Sequence, residues 1–421
     1  MHRHAPRVLL TSILTVSLAA CAPSPAPGPA SPKPASSTAA QTAQPSSARR
    51  AALRDTLQAI LSRGVIDSAF PGAIAVIGNH EGPIVTVAAG HLDWAPSPAP
   101  DERTLWDLAS LTKVVGMTSA MMQLVEQGKV QLDAPVQRYL PEWQGANKDK
   151  VTVRDLITHR SGLPAFKTYY KLNVSPDSTL KLFMTTPLDT LPGVRMVYSD
   201  IGAILLGKII ERVSGETLDQ YLAQHVFQPL GMLDTRYRPD SSLLARIAPT
   251  ERDPWRGRLV HGEVHDENAY ALGGVSAHAG LFSTAHDLGR LAQAYLNGGT
   301  IDGGRLASAA TIRQFTTVQD STFSSRALGW DTPSDRSSAG HYILRPAFGH
   351  TGFTGTSLWI APQHDLYVLL LTNRVNPTRE HNGIGRVRVQ VADAAMRALY
   401  PAVVAAIDAR RATSTSSPNR Q

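Results

Sequence analysis

The sequence predicts an α+β fold in which helices flank an antiparallel sheet and a helical lobe is inserted between its strands. Two pairs of predicted strands carry this inference: residues 73–77 with 84–88 near the start of the chain, and residues 356–360 with 366–371 near its end. Because both ends of the chain contribute strands, the middle forms the inserted lobe. Such a two-lobed fold places a cleft between the lobes, and clefts hold functional sites.

Four segments have apolar residues at helical spacing and are predicted to be helices. They are residues 111–125, 201–213, 285–296 and 384–399. For the second of them, Ser199 or Asp200 is the expected N-terminal cap, and Gly215 is the expected stop. The first three belong to the inserted lobe, and the last is expected to pack on the sheet.

The first 20 residues have the pattern of a secretory signal peptide, with basic Arg3 and Arg7, an apolar run and small residues before Cys21. Residues 18–21 also resemble a bacterial lipobox, in which the cysteine is acylated. Cys21 is the only cysteine of the chain, so it has no disulfide partner, and we predict that it carries a lipid anchor. An ordinary signal peptide with a chance cysteine is the alternative. The protein is therefore expected to be exported and membrane-anchored, in the periplasm or at the cell surface.

Residues 21–50 are predicted to be a disordered linker, because they are rich in Pro, Ala and Ser and have few large apolar side chains. The prolines make such a linker a fairly extended spacer. Residues 51–405 are then predicted to be one large, two-lobed domain, and residues 406–421 a disordered tail.

The formal net charge of +7 suggests a basic protein, but many basic residues lie in the predicted flanking segments. They are Arg3, Arg7, Lys33, Arg49, Arg50, Arg410, Arg411 and Arg420. The predicted domain is therefore close to neutral. Its sequence contains no stripe of Lys and Arg with interleaved aromatic residues, so nucleic acid is not an expected partner.

Ser110 and Lys113 are the leading candidates for catalysis. A serine hydroxyl becomes nucleophilic when a base takes its proton, and a lysine three residues further along a helix lies on the same face. The apolar residues after Ser110 predict a buried helix that begins there. Free backbone N–H groups and the dipole at a helix N-terminus favour an ionised nucleophile and a developing oxyanion.

The same spacing recurs at Ser178 and Lys181, so spacing alone is weak evidence. Ser178 lies close to Pro176 and lacks comparable apolar surroundings. We interpret this second copy as an ordinary helix start.

Two further motifs follow in the chain: a Tyr-Ser-Asp segment that begins at Tyr198 and a His-Thr-Gly segment that begins at His350. Together with Ser110 and Lys113, they resemble the serine β-lactamase and penicillin-binding-protein superfamily, most of all its class C β-lactamase, DD-peptidase and esterase branch. The resemblance extends over the whole predicted domain. Further similar stretches are residues 159–164, 271–274, 280–283, 328–330 and 350–355.

The resemblance implies a β-lactamase-like fold and a mechanism. Ser110 would attack an acyl carbonyl and form an acyl-enzyme that water later releases, while Lys113 and Tyr198 move the protons. Burial beside a tyrosine is expected to disfavour the cationic form of Lys113, so that the amine can act as a base near neutral pH.

The resemblance also implies an oxyanion hole and substrate contacts. The backbone N–H groups of Ser110 and Phe353 would form the oxyanion hole. His350 and Thr351, followed by Gly352, would line the opposite wall, where they could hold a substrate carboxylate or steer protons.

Two departures from the superfamily pattern bear on the substrate. Many relatives carry asparagine where this chain has Asp200, which offers no amide donor and, if ionised, repels an acidic ligand. This difference argues against a dedicated β-lactamase. Many lactamases carry lysine where this chain has His350, as some DD-peptidase and esterase relatives do, and the charge of a histidine depends on pH.

Residues 261–278 contain several potential metal ligands: His261, Glu263, His265, Asp266, Glu267 and His278. Their spacing matches no compact zinc motif, so we predict neither a metal nor another cofactor. The glycines of this segment favour a loop at the rim of the cleft. Residues 264–268 resemble a segment of cell-wall-related and esterase-like members of the superfamily.

The sequence therefore predicts an exported serine acyl hydrolase that works through an acyl-enzyme at Ser110. Its expected substrates are small acyl compounds or muropeptides, most of all peptidoglycan-derived peptides cleaved in the manner of a DD-carboxypeptidase or an amidase. A carboxylesterase or β-lactamase of the same fold is one alternative. A non-catalytic binding lipoprotein that has kept the fold is the other.

Overall fold

The computed structural model of the protein describes residues 45–335 and 337–415, and these include twelve β-strands. The strands are β1 (Gly72–Asn79), β2 (Gly82–Gly90), β3 (Trp106–Asp107), β4 (Arg236–Tyr237), β5 (Arg252–Asp253), β6 (Arg258–Leu259), β7 (Leu281–Ser283), β8 (Thr300–Ile301), β9 (Gly304–Arg305), β10 (Phe348–Thr351), β11 (Ser357–Ala361) and β12 (Leu366–Thr372). The main sheet has five strands in the order β10-β11-β12-β1-β2, and every pair in it is antiparallel.

The described residues also include eleven α-helices, several of them short. They are α1 (Ser47–Ile66), α2 (Thr118–Glu126), α3 (Val153–Ile157), α4 (Pro176–Thr185), α5 (Asp200–Ser214), α6 (Leu218–Leu222), α7 (Glu267–Ala271), α8 (Ala285–Leu296), α9 (Ala309–Thr316), α10 (Ile384–Leu399) and α11 (Pro401–Thr415). None of the helices within these residues is both long and apolar enough to cross a bilayer.

The sheet buries both of its faces, because successive side chains of a strand point to opposite sides. One face packs against α1 and α10 in a core that includes Leu57, Ala75 and Val391. The other face, with Ile74 and Leu369, joins a larger core that continues into α2, α5 and α8. The predicted α+β architecture is thus confirmed.

Most predicted elements are present. The four predicted strands correspond to β1, β2, β11 and β12, and the predicted helices 285–296 and 384–399 coincide with α8 and α10. Helix α5 is capped as expected: the Ser199 hydroxyl accepts a hydrogen bond from the Gly202 N–H, and Gly215 ends the helix with a φ of +77°.

The helix predicted over residues 111–125 is regular only from Thr118. A 3₁₀ turn (Ala109–Leu111) and a π-helical turn (Lys113–Met117) precede it. The Thr118 hydroxyl donates to the Lys113 carbonyl five residues back at 2.9 Å, which favours the wider turn. Such π-helical turns occur often at functional sites, and this one carries Lys113.

Two predicted boundaries are wrong. Helix α1 begins at Ser47, inside the predicted linker, and α11 continues to Thr415, inside the predicted tail. Both helices are held by packing, since Leu53 of α1 and Val404 and Ile407 of α11 belong to the sheet's core. The predicted signal peptide and Cys21 lie outside the described residues.

Candidate active site

Ser110 follows a backbone turn of unusual conformation. Ala109 has a φ of +46°, a value that residues with a side chain rarely adopt. The buried carboxylate of Asp107 accepts a hydrogen bond from the Ala109 N–H at 2.8 Å and another from the His265 N–H at 2.7 Å. Asp107 therefore links two segments: the turn that precedes Ser110 and the loop over residues 261–278.

The Nζ atom of Lys113 has three oxygen neighbours. It donates hydrogen bonds to Ser110 Oγ at 3.0 Å and to the His278 carbonyl at 2.9 Å, and it lies 2.7 Å from Asp200 Oδ1. Only 1% of the Lys113 side chain is exposed. The structure thus brings the predicted serine and lysine together.

The expectation that Lys113 has a net lowered pKa and acts as a base near neutral pH is wrong in sign. Burial does oppose the charge, but attraction to the Asp200 carboxylate, supported by Tyr198, outweighs it and raises the pKa of Lys113. The lysine is therefore a cation at neutral pH. Asp200 faces this cation, so its charge is offset within the site.

Tyr198 lies against the lysine. Its ring centroid is 4.9 Å from Lys113 Nζ and 5.8 Å from the ring of His350. Its hydroxyl is buried and has no hydrogen-bond partner within the described residues. A buried hydroxyl beside the Lys113 cation is placed to exchange a proton with the lysine and with a bound substrate.

A second histidine, which was not predicted to be a site residue, supports Tyr198. The His159 ring lies 4.5 Å from the Tyr198 ring, and its Nδ1 accepts a hydrogen bond from the Ser199 N–H at 3.1 Å. Burial, together with the positive charges of Arg326 and Lys113, holds the pKa of His159 well below its usual value. Nothing in the local sequence around His159 indicated this contact, which spans 40 residues of chain.

His350 is also neutral at neutral pH. Burial is the main cause of its lowered pKa, and the charges of Arg326 and Lys113 act in the same direction. Its Nδ1 lies 2.8 Å from the Thr351 carbonyl and must carry the proton, which leaves Nε2 as an acceptor. Nε2 is buried without a partner within the described residues.

The His-Thr-Gly segment is fastened to the strand that precedes Ser110. The hydroxyls of Thr354 and Thr356 donate to the carbonyls of Asp107 and Leu108 at 2.7 and 3.0 Å. A Cβ atom on Gly352 would lie 2.3 Å from the Leu108 carbonyl oxygen, so only glycine fits there. These contacts place Phe353 and Ser110 in one pocket, where the predicted oxyanion hole would form.

This pocket has a volume of about 390 Å³ and is strongly basic. Three arginines line it beside Ser110, Tyr198, His350, Thr351, Gly352 and Phe353: they are Arg326, Arg374 and Arg388. Among the described residues, no carboxylate lines it. The Nη2 atom of Arg388 donates to the carbonyls of Gly352 and Thr356 at 2.8 Å each, while burial and the charge of Arg374 lower its pKa to about 9.

None of these three arginines was predicted from the sequence. Arg374 and Arg388 follow His350 by 24 and 38 residues, and Arg326 precedes it in a separate loop. No motif or periodicity links any of the three to Ser110. Arg388 lies on helix α10 and Arg374 follows β12, and both reach the pocket only when these elements pack in the folded protein.

Two histidines of the loop over residues 261–278 lie beside carboxylates. His265 Nε2 lies 2.8 Å from the Glu251 carboxylate, and His278 Nε2 lies 2.9 Å from Asp266. In the part of the chain that the structure describes, no three metal-ligating side chains cluster together. The loop instead supplies the His278 carbonyl to Lys113.

A buried lysine bonded to a serine, with a tyrosine on one side and a His-Thr-Gly strand on the other, defines a serine hydrolase of the β-lactamase type. The chain belongs to the beta-lactamase family, whose sequence model matches residues 53–393. It is accordingly a serine acyl hydrolase with a β-lactamase-like fold.

Two relatives are similar to this chain over most of its length. An N-acetylmuramyl-L-alanine amidase of Bacillus subtilis (strain 168) is 34% identical over an alignment of 374 positions that covers 80% of this chain and 83% of the relative. A putative D-alanyl-D-alanine carboxypeptidase of Salmonella agona (strain SL483) is 35% identical over an alignment of 303 positions that covers 64% of this chain and 69% of the relative.

The fold also matches solved structures. A penicillin-binding protein homolog from Caulobacter crescentus superposes with a TM-score of 0.69 at 23% identity, over 83% of this chain and 97% of the homolog. This likeness confirms the fold predicted from the sequence.

Proposed function

We propose that this protein is an exported, lipid-anchored hydrolase that cleaves peptidoglycan-derived peptides through an acyl-enzyme at Ser110. The basic pocket around Ser110 is the observation that carries this proposal. Three arginines with no lining carboxylate favour a substrate that presents a carboxylate close to the scissile bond. The names of the two relatives, an amidase and a carboxypeptidase, support a peptide from the cell wall.

The proposed proton path starts from the charged state of Lys113. Because Lys113 is already a cation, it can take the Ser110 proton only while it releases one of its own. Asp200 is the acceptor for that proton, since its Oδ1 lies 2.7 Å from Nζ. The proton thus moves from Ser110 to Asp200, the charge of Lys113 is retained, and the Ser110 oxygen attacks the acyl carbonyl.

Tyr198 then completes the acylation step. Its unpaired hydroxyl donates a proton to the leaving amine, and Lys113 returns the proton from Asp200 to Tyr198. Water hydrolyses the acyl-enzyme by the same path in reverse, so that all groups regain their starting protonation.

The first experiment compares the full chain with its Ser110→Ala variant. Purified muropeptides are incubated with each protein and analysed by mass spectrometry, and each protein is treated with a fluorophosphonate probe. We expect wild type alone to be labelled, and wild type alone to release a terminal alanine or the whole peptide from its sugar.

Two outcomes would contradict the proposal. Unchanged muropeptides with a labelled Ser110 would redirect it to an esterase or a lactam hydrolase. Labelling of neither protein would leave the nucleophile without support.

The lipid anchor is tested separately in bacteria. A Cys21→Ser variant should lose incorporation of labelled fatty acid and leave the membrane fraction, while Ser110→Ala should keep both. Equal fatty-acid incorporation in wild type and Cys21→Ser would refute the anchor without affecting the assigned chemistry.

A further inference from the structure

A second pocket, of about 600 Å³, lies between residues 170–176 and the loop over residues 255–280. Three aromatic side chains line it: Tyr170, Trp255 and Tyr270. We propose that this aromatic pocket binds the sugar ring of an N-acetylmuramyl peptide. The inference rests on the proposed function and specifies which part of the cell-wall substrate the enzyme recognises.

The aromatic wall is held in a fixed arrangement. The ring centroids of Tyr170 and Trp255 lie 4.9 Å apart, and those of Trp255 and Tyr270 lie 6.0 Å apart, with both pairs edge to face. Arg256 lies against this wall, with its guanidinium carbon 4.4 Å from the Tyr270 ring, and it is paired with the buried Asp253 at 3.4 Å. The rings therefore need little ordering when a ligand binds.

The chemistry of the lining fits a neutral sugar. A pyranose has C–H groups on its faces, which pack against the negative faces of aromatic rings, and hydroxyl groups at its edge. The polar residues of the pocket include Asn173, Glu263 and Arg238. Glu263 is paired with Arg258, and Arg238 is paired with Asp219, so their charges are compensated. The pocket at Ser110, in contrast, is cationic and suits a carboxylate.

The aromatic pocket is connected to the catalytic lysine by a short segment of chain, residues 278–280. Gly280 lines it, and the carbonyl of His278, two residues earlier, lies 2.9 Å from Lys113 Nζ. Two residues span at most ~7 Å, so the nearest part of the pocket wall lies no more than ~10 Å from Nζ. An extended five-residue peptide spans ~17 Å. A sugar bound here therefore favours cleavage of the amide next to the sugar over cleavage at the far end of a stem peptide.

The test measures binding to the full chain carrying Ser110→Ala, which cannot consume its ligand. Two probes share the same scissile amide: an N-acetylmuramyl dipeptide and an N-lactoyl dipeptide that lacks the sugar ring. By calorimetry we expect the sugar to tighten binding about tenfold or more. A further Trp255→Ala change should abolish this difference, and Trp255→Phe should keep most of it.

Trp94→Ala is the matched control, because Trp94 is an exposed tryptophan that lines neither pocket. It should leave the sugar's advantage intact. If Trp255→Ala fails to fold, Tyr270→Ala takes its place, since 39% of Tyr270 is exposed.

Equal affinity for the two probes would overturn the proposal, as would a sugar advantage that survives both Trp255→Ala and Tyr270→Ala. These results are distinct from a failure of the proposed function. That failure would appear as absent hydrolysis by wild type, whereas the binding assay needs no nucleophile.

Discussion

Two segments of this chain, Ser110–Lys113 and Ser178–Lys181, have the same spacing of serine and lysine but very different surroundings. Lys113 is 1% exposed and contacts three oxygen atoms, one of them on Ser110. Lys181 is exposed, and the Ser178 hydroxyl accepts a hydrogen bond from Ser175, the cap of helix α4. The second copy is thus the ordinary helix start that the sequence predicted.

The difference shows what turns a spacing into a site. Three-residue spacing allows the lysine amine to reach the serine hydroxyl. A lysine at the surface, however, loses side-chain entropy if it is held in contact with the serine. Lys113 remains in place because Asp200 and the His278 carbonyl bind its other protons. Both partners come from distant parts of the chain, so the surroundings and not the motif define the catalytic pair.

The largest expected difference between the two segments is in the serines themselves. Ser110→Ala should lower turnover of any acyl substrate by about 10⁴-fold or more, because no nucleophile remains. Ser178→Ala should change it less than about twofold, since surface changes away from a site have small effects. Single-turnover assays and fluorophosphonate labelling measure both. Equal losses in the two variants would show that the first segment is not the nucleophile.

The lysines should differ almost as much. Lys113→Ala removes the proton carrier and leaves Asp200 without its cation, and we expect turnover to fall by about 10³-fold. Lys181→Ala should have no measurable effect. Steady-state kinetics with one ester substrate compares them, with circular dichroism to confirm folding. Undiminished turnover in Lys113→Ala would remove its assigned role.

The motif residues Ser110 and Tyr198 were predictable because the neighbouring residues in the sequence indicate their structural setting. Ser110 precedes an apolar helical stretch, and Tyr198 precedes a capped helix, so each is marked by its own neighbours. The same holds for strands β1 and β12, whose apolar residues and flanking turns are local signals.

Long-range contacts were not predictable in this way. The sign of the pKa shift of Lys113 depends on Asp200, 87 residues away, and Asp200 was noticed in the sequence only as a departure from the superfamily pattern. Asp107 and the His278 carbonyl act through contacts that folding creates. Arg326, Arg374 and Arg388 meet for the same reason.

A third contrast is between the buried histidines beside Ser110–Lys113 and an exposed histidine elsewhere in the chain. The pKa values of His159 and His350 are lowered, so both stay neutral in the folded protein, while unfolding exposes them to protonation near pH 6.5. The unfolded state therefore binds more protons, and stability falls as pH drops below about 6.5, by up to about 1.4 kcal/mol per pH unit for each histidine.

Urea unfolding at several pH values between 7.5 and 5.5 measures this slope. His159→Gln should reduce it, because glutamine can accept the Ser199 hydrogen bond without binding a proton. His91→Gln changes an exposed histidine and should leave the slope as it is. A slope unchanged by His159→Gln would contradict the neutral, buried state.

The smallest expected effect lies in the residues that precede the two serines. Ala109 has a φ of +46°, where a Cβ costs about 1–2 kcal/mol, whereas Asp177 is in the first turn of α4. Ala109→Gly relieves that strain and should keep or slightly raise the free energy of unfolding. Asp177→Gly should lower it by about 0.5–1 kcal/mol, because glycine weakens a helix. If urea unfolding shows the same loss in both variants, the turn before Ser110 holds no strain, and its geometry must come from the hydrogen bonds of Asp107 alone.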